Sequence, residues 1–321
     1  MESDLPVSTG ATDPEPAAVT KPRVWPVYLT FVLSLGTVII AAAILTVIGM
    51  FIIVVAEISR SGGGPPPDLD ALFGDGQVMN RLLGNPRFLL CLIALSSGAF
   101  FCAALVGGIF SPENIRDRLA IRRPVVTPAW LWLLIPFGGL AISSGFDDLS
   151  RLFSLQSESL ALFEHLFSST GGFGFALTVL LVGGFTPIAE EGLFRGYIQT
   201  RLVQRHGARL GVILASVMFG IMHMDLVHSA YATLIGLYLG HVALRCNSIW
   251  PAIATHVTIN TVSSFGARFW GGMDVEPSLF YILADLVVCA IVVAVIVRLV
   301  ERQPRKALPA APLPDGEVGL S

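Results

Sequence analysis

Residues 183–197 read GGFTPIAEEGLFRGY and place three ionisable side chains inside a long apolar segment, residues 172–200. On insertion scales, each such group in a membrane-spanning helix costs about 2.5 to 3.5 kcal/mol. Glu190, Glu191 and Arg195 are therefore candidate functional residues. The stretch predicts a helix that crosses a membrane and carries a polar site in its interior.

The rest of the chain is apolar enough for most of it to lie in a membrane. Of 321 residues, 54% are hydrophobic and 13% are charged, and this charged fraction is about half that of a soluble domain. Long apolar runs alternate with short loops, as membrane helices of roughly 20 residues require. We therefore predict an all-α, polytopic integral membrane protein with about eight transmembrane helices. The apolar segments are 25–57, 88–111, 128–147, 172–200, 209–225, 228–245, 249–266 and 278–300.

These segments divide the chain into regions. The first residues are rich in Pro, Ala, Thr and acidic side chains, a composition typical of disorder. An amphipathic stretch at 155–168 predicts a helix at the membrane interface. The regions are a disordered tail at 1–23, three membrane helices with the interfacial stretch at 24–171, a core at 172–266, a last membrane helix at 267–300 and a cytoplasmic tail at 301–321.

Basic residues predict the orientation of the chain. If both termini are cytoplasmic, fourteen Lys and Arg residues lie on the cytoplasmic side and five lie on the opposite side. The excess of Lys and Arg in cytoplasmic loops favours this arrangement. No block of like charge is typical of a nucleic-acid-binding tail, so nucleic acid is not expected as a partner. The four cysteines show no CxxC spacing and indicate free thiols.

Helical geometry separates the two glutamates. Glu191 and Arg195 are four residues apart with the acid first, the favourable order for an intrahelical ion pair. Glu190 points about 100° away around the helix and has no equally good partner in its own segment, so it is the glutamate that is free to take part in catalysis. Pro187 lacks an amide proton, so in an α-helix the carbonyl of Gly183 should lose its donor. The helix should be loosened just before the glutamates.

Two further segments carry polar side chains that could meet Glu190. His223 ends the fifth segment, and the seventh carries His256 and Asn260, which are four residues apart and face the same way. A glutamate, a histidine and a His/Asn pair on three helices could converge on one cavity. Glu190 and His223 would then hold and activate a water, while His256 and Asn260 would donate hydrogen bonds to the oxyanion of peptide hydrolysis.

At these residues the chain resembles the CPBP family of intramembrane proteases, also called the CAAX-protease, bacteriocin-processing or Abi family. The family patterns EExxxR, FxxxH and HxxxN are met in order by residues 190–195, 219–223 and 256–260. The resemblance covers about residues 172–266. It implies Glu190 and His223 as water activators, His256 and Asn260 as oxyanion stabilisers, and Glu191 with Arg195 as support.

The resemblance also implies an activity and a location. We expect an endopeptidase in a bacterial or archaeal cell membrane, which cleaves a membrane-embedded or lipidated peptide in CAAX-type proteolysis or peptide maturation. No cofactor is favoured. Zinc is the alternative, with Glu190, His223 and His256 as three ligands and one open position. Metal-free catalysis is preferred because a glutamate that serves as a ligand leaves no clear general base.

Two functions of other classes compete with proteolysis. A proton-coupled transporter could use Glu190 and the buried histidines as a relay, but it should have inverted repeats with paired broken helices. A catalytically inactive scaffold should have lost a motif residue, and none is lost. His228 and His241 are not expected to be catalytic, and His228 should be interfacial. Asp147 and Asp148 predict a solvated helix end, whereas Asp285 is a lone membrane acid without an assigned role.

Overall fold

The computed structural model describes residues 22–61, 73, 76–125, 128–270 and 277–303. The predictions for the first 21 residues and for residues 304–321 lie outside the described residues. Within the described ranges the chain is helical and contains no strand. The predicted all-α fold class is therefore confirmed.

We number eleven helices in the part of the chain that the structure describes. Eight of them correspond to the predicted apolar segments, with ends that differ by up to six residues, and α7 is long and composite. The helices are α1 (Trp25–Arg60), α2 (Gln77–Leu83), α3 (Pro86–Ile109), α4 (Ile115–Arg118), α5 (Ala129–Leu152), α6 (Glu158–Ser169), α7 (Gly172–His206), α8 (Ala208–Ile221), α9 (Leu226–Cys246), α10 (Trp250–Phe269) and α11 (Leu279–Glu301).

All eight predicted segments are helices, and six of the described helices are long and apolar enough to cross a membrane: α1, α3, α5, α7, α9 and α11. The protein is therefore a multi-pass integral membrane protein. Helix α8 has 14 residues, so at about 1.5 Å per residue it is shorter than the bilayer core. Helix α10 has sufficient length, with 20 residues, but its sequence includes several Thr and Ser residues beside His256 and Asn260.

Large apolar side chains cover the outside of the bundle, particularly along α1 and α11. Such a surface suits contact with lipid, where exposure of apolar groups carries no penalty. Two large apolar clusters lie in the interior, among the residues that the structure describes. One centres on α7 and α8 and includes Phe194 and Phe219. The other joins α5, α9, α10 and α11. The polar site lies on α7, α8 and α10, at the junction of these clusters.

Gly236 allows α9 to approach α7 and α8 closely. A Cβ atom at this position would lie 3.1 Å from Cβ of Ser216 and 3.3 Å from Nη2 of Arg195. Small residues commonly allow this kind of close helix contact in membranes, where packing and hydrogen bonds hold helices together. The approach also brings the carbonyl of Gly236 within reach of Arg195.

Candidate active site

Two π-helical stretches in α7 flank the pair of glutamates. Val179–Phe185 and Gly192–Gln199 are π-helical, and Thr186–Glu191 between them is α-helical. In a π-helix each amide bonds to the carbonyl five residues earlier, and such stretches are frequent at functional sites. The sequence predicted a disturbance before the glutamates but not these two changes of helical register.

Asn260 compensates for the amide that Pro187 lacks. The amide of Thr186 bonds to the carbonyl of Leu181, five residues earlier, so the next bond in this register would run from residue 187 to Val182. Proline cannot donate it. The Nδ2 group of Asn260 donates to the Val182 carbonyl instead, at 3.0 Å. The prediction that Gly183 would lose its donor was off by one residue because it assumed α-helical register.

The predicted ion pair between Glu191 and Arg195 is present and deeply buried. Nη1 of Arg195 lies 2.8 Å from Oε1 of Glu191, and their side chains are 1% and 0% exposed. Nη2 of Arg195 donates to the carbonyl of Gly236 at 3.3 Å. The guanidinium also stacks 4.3 Å from the centre of the Phe219 ring, a cation–π contact. Arg195 thus ties together α7, α8 and α9.

His256 connects the two glutamates. Its Nδ1 lies 2.9 Å from Oε1 of Glu191, and its Nε2 lies 3.7 Å from Oε2 of Glu190. A carboxylate only accepts hydrogen bonds, so Nδ1 of the ring carries the donated proton. The ring can then donate from Nε2 only when it holds a second proton. The oxyanion role implied for His256 therefore requires the doubly protonated imidazole.

Glu190 differs from Glu191 in its surroundings. Its side chain is 11% exposed, against 0% for that of Glu191, and its contact with His256 is longer than a hydrogen bond. Glu191 is engaged by both His256 and Arg195 at hydrogen-bond distance. These contacts agree with the separation of roles that helical geometry predicted. Glu190 is therefore the less engaged of the two carboxylates.

His223 lies in the turn just beyond α8, beside Phe219. Its Nδ1 lies 3.0 Å from the carbonyl of Phe219, four residues earlier, and donates to it. This bond leaves Nε2 as the acceptor of the neutral ring. The ring of Phe219 stands nearly perpendicular to those of His223 and His256, with centroid distances of 5.0 Å and 5.9 Å. The ring of Phe219 therefore contacts both imidazoles and holds them near each other.

His228 lies beside His223, which the sequence did not lead us to expect. It is 8% exposed, and the two ring centres are 4.2 Å apart. Its Nδ1 is 2.9 Å from Oγ of Ser159 on α6. The signal in the sequence was the spacing His223-x-Asp225-x-x-His228, in which the aspartate begins a helix and turns the chain back.

Asp225 fixes this turn. Its side chain accepts from the amide of His228 at 2.8 Å and from the amide of Ser159 at 3.4 Å. Partial burial alone would raise the pKa of Asp225, but these hydrogen bonds and one with Ser157 outweigh burial and hold the pKa below its ordinary value. The carboxylate therefore caps α9 and joins it to α6.

The candidate zinc ligands do not form a metal-binding group. Among the described residues, no three His, Cys, Asp or Glu side chains converge in a way that could hold a metal ion. Oε2 of Glu190 and Nε2 of His256 are 3.7 Å apart, but His223 does not complete such a group with them. The arrangement does not fit the three-ligand set named above, so the chemistry below uses no metal step.

Other polar residues have structural surroundings. Asp285 accepts from Oγ of Ser144 at 2.9 Å and lies 3.4 Å from Sγ of Cys289, so it joins α11 to α5 rather than standing alone. Asp148 is 7% exposed, and the prediction of a solvated helix end was wrong for this residue. His241 lies 3.9 Å from Glu301, away from the glutamates.

Comparison with known proteins finds similarity to a family of membrane peptidases in the region of the site. The model of the family described as "Type II CAAX prenyl endopeptidase Rce1-like" matches residues 172–262. A Bacillus subtilis (strain 168) protein named "Putative membrane peptidase YdiL" is 35% identical over 75 residues, which cover 23% of this chain. The chain spans 31% of the length of that relative. No solved structure matches. The matched region contains all six candidate site residues.

Proposed function

We propose that the chain is an intramembrane endopeptidase of the CPBP family, because residues 172–262 match the model of the type II CAAX prenyl endopeptidase Rce1-like family and 75 residues are 35% identical to a Bacillus subtilis protein named as a membrane peptidase. It hydrolyses a peptide bond in a membrane-associated or lipidated substrate, in CAAX-type proteolysis or peptide maturation. One observation carries the proposal: His256 lies between Glu190 and a fully buried Glu191–Arg195 pair. A membrane bundle has no structural need for so many ionisable groups at one point.

The proposed reaction begins with a water held between Glu190 and Nε2 of His223. Glu190 accepts a proton from the water as its oxygen bonds to the carbonyl carbon of the substrate. The carbonyl oxygen becomes an oxyanion. Glu190 then passes the proton to the leaving nitrogen as the carbon–nitrogen bond breaks, which yields a carboxylic acid and an amine.

The oxyanion needs donors that are already in position. Asn260 has two amide protons, and one is used by the carbonyl of Val182, so the second can serve the oxyanion. The Val182 bond also fixes the orientation of the side chain. His256 donates from Nε2 in its doubly protonated state, with Glu191 accepting at Nδ1. Glu191 and Arg195 support the reaction by orienting this ring.

Peptide cleavage by the reconstituted protein tests the proposal. Proteoliposomes would receive synthetic peptides with a C-terminal CAAX sequence, with and without a farnesyl group, and mass spectrometry would identify the products. We expect cleavage by the wild type and a loss of at least about 100-fold in Glu190→Ala, the usual scale for a general base. Glu164→Ala, at an exposed glutamate on α6, is the matched control.

Two outcomes would contradict this proposal. One is cleavage by Glu190→Ala at the wild-type rate, with equal amounts of folded protein. The other is a Glu190-dependent proton flux across the vesicle membrane in the absence of any cleavage, which would favour the transporter.

A further inference from the structure

A groove that none of the candidate site residues lines runs between α1 and α3 and is closed on one side by α2. Its volume is about 400 Å³, within the range of sites that hold small ligands. The apolar wall belongs to two helices that are apolar enough to cross a membrane. The wall includes Leu45, Ile48, Ile52, Ile53, Phe88 and Cys91.

One end of the groove is basic. It is lined by Arg60, Arg81, Arg87 and Glu57, so three positive charges face one negative charge and leave a net charge of +2. Nη1 of Arg81 lies 2.6 Å from Oε1 of Glu57, and Nη1 of Arg60 lies 3.2 Å from the same oxygen. One carboxylate therefore holds two arginines together without neutralising the group.

The basic end lies at the ends of these two helices. Arg60 is the last residue of α1, and Arg87 is the second residue of α3. The side chains of Arg60 and Arg81 are 73% and 47% exposed. The groove thus runs from a charged rim at the helix ends into the apolar length of the two helices. This gradient matches a molecule with an anionic head and a hydrocarbon chain.

We propose that this groove binds an anionic phospholipid. The phosphate lies among Arg60, Arg81 and Arg87, and an acyl chain follows the apolar wall between α1 and α3. Basic pockets between membrane helices recognise lipid headgroups in this way. The isoprenyl chain of a lipidated peptide would fit the apolar wall, but it has no charge to meet the arginines. The site does not depend on the proposed proteolysis.

Native mass spectrometry of the purified full-length protein in detergent, titrated with phosphatidylglycerol, tests this site. Phosphatidylcholine is the zwitterionic reference. We expect a preference for phosphatidylglycerol that falls about five-fold for each arginine replaced, because each basic residue contributes about 1 kcal/mol near an anionic headgroup. Arg87→Gln leaves the pairs with Glu57 intact, and the triple glutamine variant should lose about 100-fold. Arg151→Gln, at an exposed end of α5, should change nothing.

Further arms separate the possible ligands. Cys91→Phe fills the apolar half of the groove and should weaken phosphatidylglycerol binding with the arginines intact. Inorganic phosphate at the same concentration should not compete. The proposal would be overturned by equal binding of the two lipids or by an unaltered preference in the triple variant. It would also be overturned by competition from phosphate alone, or by displacement of the bound lipid by a farnesylated peptide but not by phosphatidylglycerol.

Discussion

Replacement of Glu191 by glutamine should destabilise the fold far more than replacement of an exposed glutamate. Glu191 is 0% exposed and lies 2.8 Å from Arg195, whose side chain is 1% exposed. Removal of one partner from a buried ion pair costs about 3–5 kcal/mol because the other charge is left uncompensated. The glutamine Oε1 can still accept from Arg195 and His256, so we expect the lower end, about 3 kcal/mol.

Unfolding by sodium dodecyl sulfate in mixed micelles, followed by tryptophan fluorescence, would measure this loss. Glu164→Gln is the control and should stay within about 0.5 kcal/mol of the wild type. Arg195→Gln should be as damaging as Glu191→Gln, but the double variant should recover part of the loss because no unpaired charge remains. A Glu191→Gln variant as stable as the control, or a double variant that loses the sum of both, would refute the reasoning.

Four other predictions concern the surroundings of the site. His228→Phe and Ser159→Ala should lower kcat about 10-fold or more with little change in unfolding free energy, because they loosen the support of His223; equal kcat in a steady-state assay would contradict this. Asn260→Ala should lower kcat about 100-fold and destabilise the protein by about 1–3 kcal/mol, since the buried Val182 carbonyl loses its donor; loss of activity with no loss of stability would contradict the bond. Asp225→Asn should reduce stability at neutral pH, and its difference from the wild type should shrink below about pH 4, because a carboxylate with a lowered pKa stabilises the fold only while ionised; a difference independent of pH would exclude this. Chelation followed by zinc addition should leave the cleavage rate unchanged, and activity that is lost and then restored would assign the metal.

Helix positions could be predicted because the lipid environment leaves a strong signal in sequence. Each apolar segment from 25–57 to 278–300 is helical. The Glu191–Arg195 pair could also be predicted, since a spacing of four residues is local geometry. The contact of Glu191 with His256 could not be predicted, because the two residues are on different helices and meet only through the packing of α7 against α10.

Other features depend on contacts that one sequence does not reveal. The π-helical register before the glutamates makes the Val182 carbonyl, rather than that of Gly183, the one that Pro187 leaves without a donor, and Asn260 donates to it. The burial of Asp148 arises where α5 packs against α11. The cytoplasmic position of both termini stays a prediction that rests on the count of basic residues.

The central claim is that Glu190 takes the proton from the attacking water while Glu191 holds the site together. The most direct measurement is the single-turnover cleavage rate of Glu190→Gln, corrected for the folded fraction. We expect a loss of about 100-fold to 10,000-fold in rate, with an unfolding free energy within about 1 kcal/mol of the wild type. Cleavage by folded Glu190→Gln at a rate near that of the wild type would contradict the account.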